Sequence, residues 1–139
     1  MTKEEKDLVF KDLCARLPYK PKVRVEHDVF YDEREPYNTV LDGVENLGNL
    51  LRPKIEIKPY LRRLSSMTDE EKEELSKQYG FHVCINEINI WYHSEGYWDK
   101  DDQCSSKDYI KLFKLFDWLN KHHFDYRGLI NKGLAIEIK

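Results

Sequence analysis

A chain of 139 residues with 40% hydrophobic and 35% charged side chains is expected to fold as one domain over residues 1–139, with a single sizeable core, and is not a disordered segment. It has no apolar run of membrane-spanning length and no hydrophobic signal core near residue 1, which excludes a membrane partner and leads to the expectation of a cytoplasmic protein. Cys14, Cys84 and Cys104 are odd in number and lack a C-x-x-C pair, so they imply neither a disulfide framework nor a cysteine zinc site.

In chain order, Thr2 and Glu5 have capping-box spacing, and Val9, Phe10, Leu13, Cys14 and Leu17 follow at helical intervals until Pro18. This predicts an amphipathic N-terminal helix. Residues 23–31 alternate, with Val23, Val25, His27, Val29 and Tyr31 against Arg24, Glu26 and Asp28, as a half-buried strand does. A polar loop over 32–38 leads to a short strand around 39–44. The cluster Asn46, Gly48 and Asn49 reads as a turn, and Ile55 and Ile57 mark a third strand that Pro59 ends.

The stretch from Lys58 to Lys72 is where alternation gives way to helical spacing. Thr68 and Glu71 form a second capping box, Asp69, Glu70 and Glu71 fill the first turn, and Gly80 is placed to stop the helix. Residues 81–93 hold the longest β signal, but its phase slips from Phe81, Val83 and Ile85 to Ile88, Ile90 and Tyr92. That slip predicts a bulge near Asn86 and Glu87, with two separate strands as the alternative. Ser105 is placed to cap a helix over 106–121 whose apolar face is Tyr109, Leu112, Phe113, Phe116 and Leu119, with Phe113 and Phe116 as core residues. Asp125 is placed to cap a last helical turn ending at Gly133, before an alternating strand of Leu134, Ile136 and Ile138. The fold expected is α+β: a small antiparallel sheet of about five strands covered by the N-terminal and the C-terminal amphipathic helix.

Catalytic chemistry finds little support in these residues. The histidines His122 and His123, with Asp125, His82, His93 and Glu87, are metal-ligand types, yet adjacent histidines diverge on a helix and no H-E-x-x-H or H-x-H spacing occurs. They are expected to end the helix and complement its dipole, not to hold metal. The run Asp99 to Asp102 lacks the glycine and closing glutamate of a calcium loop. No glycine-rich phosphate loop exists, Ser65 and Ser66 suit capping better than nucleophilic attack, and no cofactor or catalytic residue is nominated.

Two features point to binding. Trp91, Tyr92, Tyr97 and Trp98 crowd a strand end and loop with the residue types that anchor protein interfaces. Arg52, Lys54, Lys58, Arg62 and Arg63 with Tyr60 combine charge and aromaticity as nucleic-acid backbone sites do, against a formal net charge of −3.

Three motifs carry a resemblance: Lys11-Asp-Leu-Cys-Ala-Arg-Leu-Pro-Tyr19, Ile57-Lys-Pro-Tyr-Leu-Arg-Arg-Leu-Ser-Ser-Met-Thr68, and Trp118-Leu-Asn-Lys-His-His-Phe-Asp-Tyr-Arg-Gly-Leu-Ile130 with Lys132-Gly-Leu-Ala135. Together they resemble a group of small uncharacterised proteins from gut Bacteroides and their phages or other mobile elements. The chain departs from that pattern at Arg63, where the group has proline, and at Asn131, where it has glutamate. The resemblance implies no activity, cofactor or catalytic residue. The expectation is a non-enzymatic protein that binds another protein, with a nucleic-acid-binding accessory protein as the alternative.

Overall fold

The structure, a computed structural model, describes residues 1–27, 35–50, 52, 54–79, 81–85, 90–94 and 106–139. The elements are α1 (Lys3–Arg16), β1 (Lys22–His27), β2 (Tyr37–Val40), α2 (Val44–Leu50), β3 (Ile55–Leu61), α3 (Asp69–Tyr79), β4 (Phe81–Ile85), β5 (Ile90–Ser94), α4 (Ser106–Lys121) and β6 (Ile136–Glu137). They divide between two compact units, residues 1–62 with 127–139, and residues 63–126.

In the first unit, α1 starts at the expected capping box: the Glu5 N–H donates to Thr2 Oγ1 at 3.1 Å and the Thr2 N–H to Glu5 Oε2 at 3.2 Å. Its buried stripe, however, is Val9, Asp12, Leu13 and Arg16, while Phe10 and Cys14 are exposed. The helix is rotated from the expected face because an ion pair sits inside. Arg16 donates to both oxygens of Asp12, at 2.8 and 3.0 Å, and Arg127 Nε lies 3.2 Å from Asp12 Oδ1. A fully buried charge stands only when so paired.

The sheet has the order β2-β1-β3-β6, and β3 pairs with β6 in parallel. It is a four-stranded mixed sheet, not an antiparallel one of five strands, because the chain returns to β3 only after residue 126. Odd positions Val23, Val25, Ile57 and Leu61 face inward and form the core with Val9, Leu13, Leu41, Leu47, Leu129 and Leu134. Strand β3 runs through Pro59, opposite Val23. Since β6 pairs only Tyr60 and Leu61, one edge of β3 has no ladder at Pro59, a place where a missing N–H is tolerated. The segment 46–49 is not a turn but part of α2, held helical against its glycine and asparagines by burial of Leu47. The last alternation is shorter than expected: β6 covers two residues, and Ile138 is exposed though its N–H reaches Leu61 O at 2.8 Å.

In the second unit a 3₁₀ turn, Leu64–Ser66, leads to α3. The Thr68 box is present: the Glu71 N–H donates to Thr68 Oγ1 at 3.2 Å and the Thr68 N–H to Glu71 Oε1 at 3.1 Å. Buried Leu64, Met67, Leu75, Leu115, Trp118, Leu119 and Phe124 form this unit's own core, so the buried face of α4 belongs here and not to the core of the four-stranded sheet. Trp118 and Phe124 stack with ring centres 5.8 Å apart. Phe113, at 75% exposure, and Phe116, at 42%, are not core residues. Helix α4 is apolar on more than one side, and the side carrying the large indole is the one buried, with Leu115 and Leu119 beside it. Tyr109 and Leu112 fall where side chains are outside the described residues, as do Ser105 and Gly80.

The phase slip in residues 81–93 comes from a reversal. Strands β4 and β5 pair antiparallel in a two-stranded sheet, with Ile85 opposite Ile90 and Val83 opposite Tyr92. In that register odd positions of one strand meet even positions of the other, so apolar positions kept on one face must change parity across the connection. The expected site of a bulge, 86–89, lies outside the described residues.

Candidate functional site

Of the four aromatic residues nominated for a protein interface, Tyr97 and Trp98 lie outside the described residues. Trp91 and Tyr92 are neighbours in β5, opposite Cys84 and Val83, and their side chains lie outside the described residues.

His122 and His123 close α4. The His123 N–H donates to Asn120 O at 3.1 Å and the Phe124 N–H to Leu119 O at 3.0 Å, with His123 in the left-handed region at φ 61°. This is a Schellman ending, with the apolar contact supplied by Phe124 and Leu119. The His122 ring lies against Trp118 at 4.2 Å, and its Nδ1 is 3.8 Å from Glu71 Oε2. Asp125 is buried, and residues 129–133 form a turn, not a helix. The turn closes at Gly133, φ 73°, by Leu134 N–H to Leu129 O at 2.9 Å. On α3, Lys77 Nζ is 2.8 Å from Glu73 Oε1. The hydrogen bond and charge of Lys77 hold the Glu73 carboxyl below its ordinary pKa and raise that of Lys77.

The basic segment fares differently. Arg52 and Lys54 precede β3 and are exposed, Lys58 and Tyr60 lie on β3, Arg62 continues its alternation, and Arg63 opens the second unit. On β3 the odd positions are inside, so Glu56, Lys58 and Tyr60 occupy the outer face of the sheet. The register then adds residues that the segment itself does not contain. Arg24 of β1 is directly opposite Lys58, and Asn38 of β2 is opposite Arg24. Lys22 Nζ sits 4.9 Å from the centre of the Tyr60 ring, whose hydroxyl donates to Asn38 Oδ1 at 2.7 Å.

This face is laid out in rows. Lys22, Arg24, Lys58 and Tyr60 make a basic and aromatic end, and Glu26 opposite Glu56 makes an acidic one. The acids are engaged: Arg24 Nε is 3.1 Å from Glu26 Oε1, and the Met1 ammonium donates to Glu56 Oε1 at 2.6 Å. Among the described residues no carboxylate is paired with Lys58. Arg24 and Lys58 are directly opposed like charges, which costs a sheet some stability, and Glu26, 3.1 Å from Arg24 Nε, offsets the Arg24 side of that pair. Lys22 and Arg24 were missed by reading the segment 52–63 alone, although the alternation of residues 22–26 already puts both on the polar face.

No protein-family model, curated protein or solved structure matches the chain.

Proposed function

We propose that this chain is a small non-enzymatic binding protein that holds single-stranded nucleic acid on the outer face of its four-stranded sheet. The observation that carries the reading is the cross-strand pair Arg24 and Lys58, with Lys22 and Tyr60 beside it on the same face. A sheet face with cations for phosphates and an aromatic ring for a base is a platform that tolerates any sequence, because every base has a π face. A phosphate at Arg24 has to take the place of Glu26, which lies 3.1 Å from its Nε, whereas Lys58 has no carboxylate to exchange among the described residues. The motif resemblance adds that the protein serves a phage or other mobile element, as an accessory factor.

The test is fluorescence anisotropy of a labelled single strand of about 12 nucleotides, titrated at several salt concentrations. With three or four phosphates engaged, log affinity should fall against log salt with a slope of about −2 to −3. Lys58→Glu and Arg24→Glu should each weaken binding and flatten that slope by roughly 0.7 or more. Unchanged binding in both variants, or none at low salt, refutes the proposal.

A second reading, a protein partner held by the second unit, rests on a different observation: Phe113 and Phe116 are exposed on α4, with Tyr126 5.2 Å from the Phe116 ring. Exposed aromatics of this kind anchor interfaces. Capture of a partner lost on Phe113→Ser, without nucleic-acid binding by the wild type, would favour it.

A further inference from the structure

The opposite side of β3 holds a groove of about 420 Å³, lined by Met1, Val9, Phe10, Leu13, Ile55 and Ile57, with Lys3, Lys6, Asp7 and Arg52 around it. It lies within the first unit, between α1 and the inward positions of β3. Its floor is apolar: Val9, Leu13 and Ile57 are at most 5% exposed, while Phe10, at 39%, forms a wall open to solvent. The size falls in the range of small-molecule sites, which are mostly apolar with a few polar groups that set orientation. Those groups here are three cations against one acid. The Met1 ammonium is already engaged by Glu56 at 2.6 Å, and Lys6 likewise has a partner, which leaves Lys3 and Arg52 as the orienting cations.

We propose that this groove binds a free medium-chain fatty acid, its aliphatic tail along Phe10, Val9 and Ile57 and its carboxylate at Lys3 and Arg52. The two halves of the ligand follow from the two halves of the groove. An aliphatic floor without a polar side chain calls for a hydrocarbon, and an exposed cationic rim calls for one anionic head. An apolar molecule alone would leave the rim unused, and an inorganic anion would leave the floor wet. The groove uses the odd positions of β3 and the platform the even ones, and among the described residues the two share only Met1, which lines the groove and bonds Glu56.

The experiment is a calorimetric titration of the full chain with octanoate, decanoate and dodecanoate below their micelle concentrations, joined to amide-shift mapping by NMR. Affinity should rise about fourfold per added methylene until the groove is full, with shifts at Val9, Phe10, Leu13, Ile55 and Ile57. Arg52→Glu and Lys3→Glu, both at exposed positions, should weaken dodecanoate by about tenfold and leave a neutral alcohol of equal length unaffected. Phe10→Ser should weaken both, with a native amide spectrum confirming that the variant folds. Equal affinity for acid and alcohol, shifts mapped elsewhere, or uptake only from vesicles and not from free acid would overturn the proposal. So would a dimer in sedimentation that Phe10→Ser dissociates, because the groove would then be an interface between copies. Oligonucleotide binding that fails while dodecanoate still binds discards the platform and keeps the groove.

Discussion

The two units solve the same packing problem with different materials. The first closes an aliphatic core of valines, leucines and one isoleucine, and sets beside it a carboxylate clasped by two guanidiniums, one of them on the far side of the intervening segment. The second gathers its core from residues 64–124, around a stacked tryptophan and phenylalanine. The difference teaches that the first unit depends on matching charges across long sequence distance, whereas the second depends on shape within one contiguous stretch.

Removing the charge match should have the largest effect. Asp12→Ala leaves Arg16 buried without its carboxylate and should cost about 3–5 kcal/mol, read as a loss of denaturant midpoint and faster exchange of the Val23 and Val25 amides. A cost under about 1 kcal/mol would mean the cluster is solvated on opening, and would erase the contrast between the units. In the second unit Phe124→Ala removes half of the stack and should cost about 3–5 kcal/mol, with exchange at Leu115 to Leu119 as the readout. Thr68→Ala should cost about 0.5–2 kcal/mol, and amides 69–72 should exchange faster. Phe113→Ser, at a position 75% exposed, should change stability by no more than about 0.5 kcal/mol; a large loss would return this face of α4 to the core.

The smallest effect is that of Lys77→Ala, which removes an exposed pair. Because Lys77 holds the Glu73 carboxyl below its ordinary pKa, the contribution is present above that ordinary value and disappears as pH falls through the lowered one. The melting difference between wild type and variant should therefore be small near neutral pH and vanish in acid.

Local signals proved legible. Both capping boxes, which are spacings of three residues, are present as expected, and His122 and His123 end α4 as their position at its last turn implies. Equating apolar with buried on a helix held for Val9, Leu13 and Leu119 and failed elsewhere: α1 buries Asp12 and Arg16 and exposes Phe10, and α4 buries Trp118 and exposes Phe113. An ion pair or an indole outweighs a smaller apolar group, and periodicity alone does not rank them. The slip at residues 81–93 was visible but ambiguous, since bulge and reversal both change parity. Half of the basic face was legible in Lys58 and Tyr60. The other half, Lys22 and Arg24, depends on register, and which residue of β1 meets Lys58 is settled by packing of Val23 and Val25, not by anything near residue 58. The parallel return of β6 is the least local feature of all and had no sequence signal beyond a short alternation.

That return has a consequence for how the protein is made. On the ribosome residues emerge from the N-terminus, so 63–126 are all outside before 127–139 have left the exit tunnel. The second unit then has its whole complement of core side chains while the first still lacks Leu129 and Leu134 and the guanidinium of Arg127. Strands β1, β2 and β3 wait during that interval with one wall of their core unbuilt and Asp12 short of a partner. A released fragment ending at residue 126 should keep slow amide exchange at Leu115 to Leu119 and lose it at Val23 and Val25, although those strands belong to the older part of the chain.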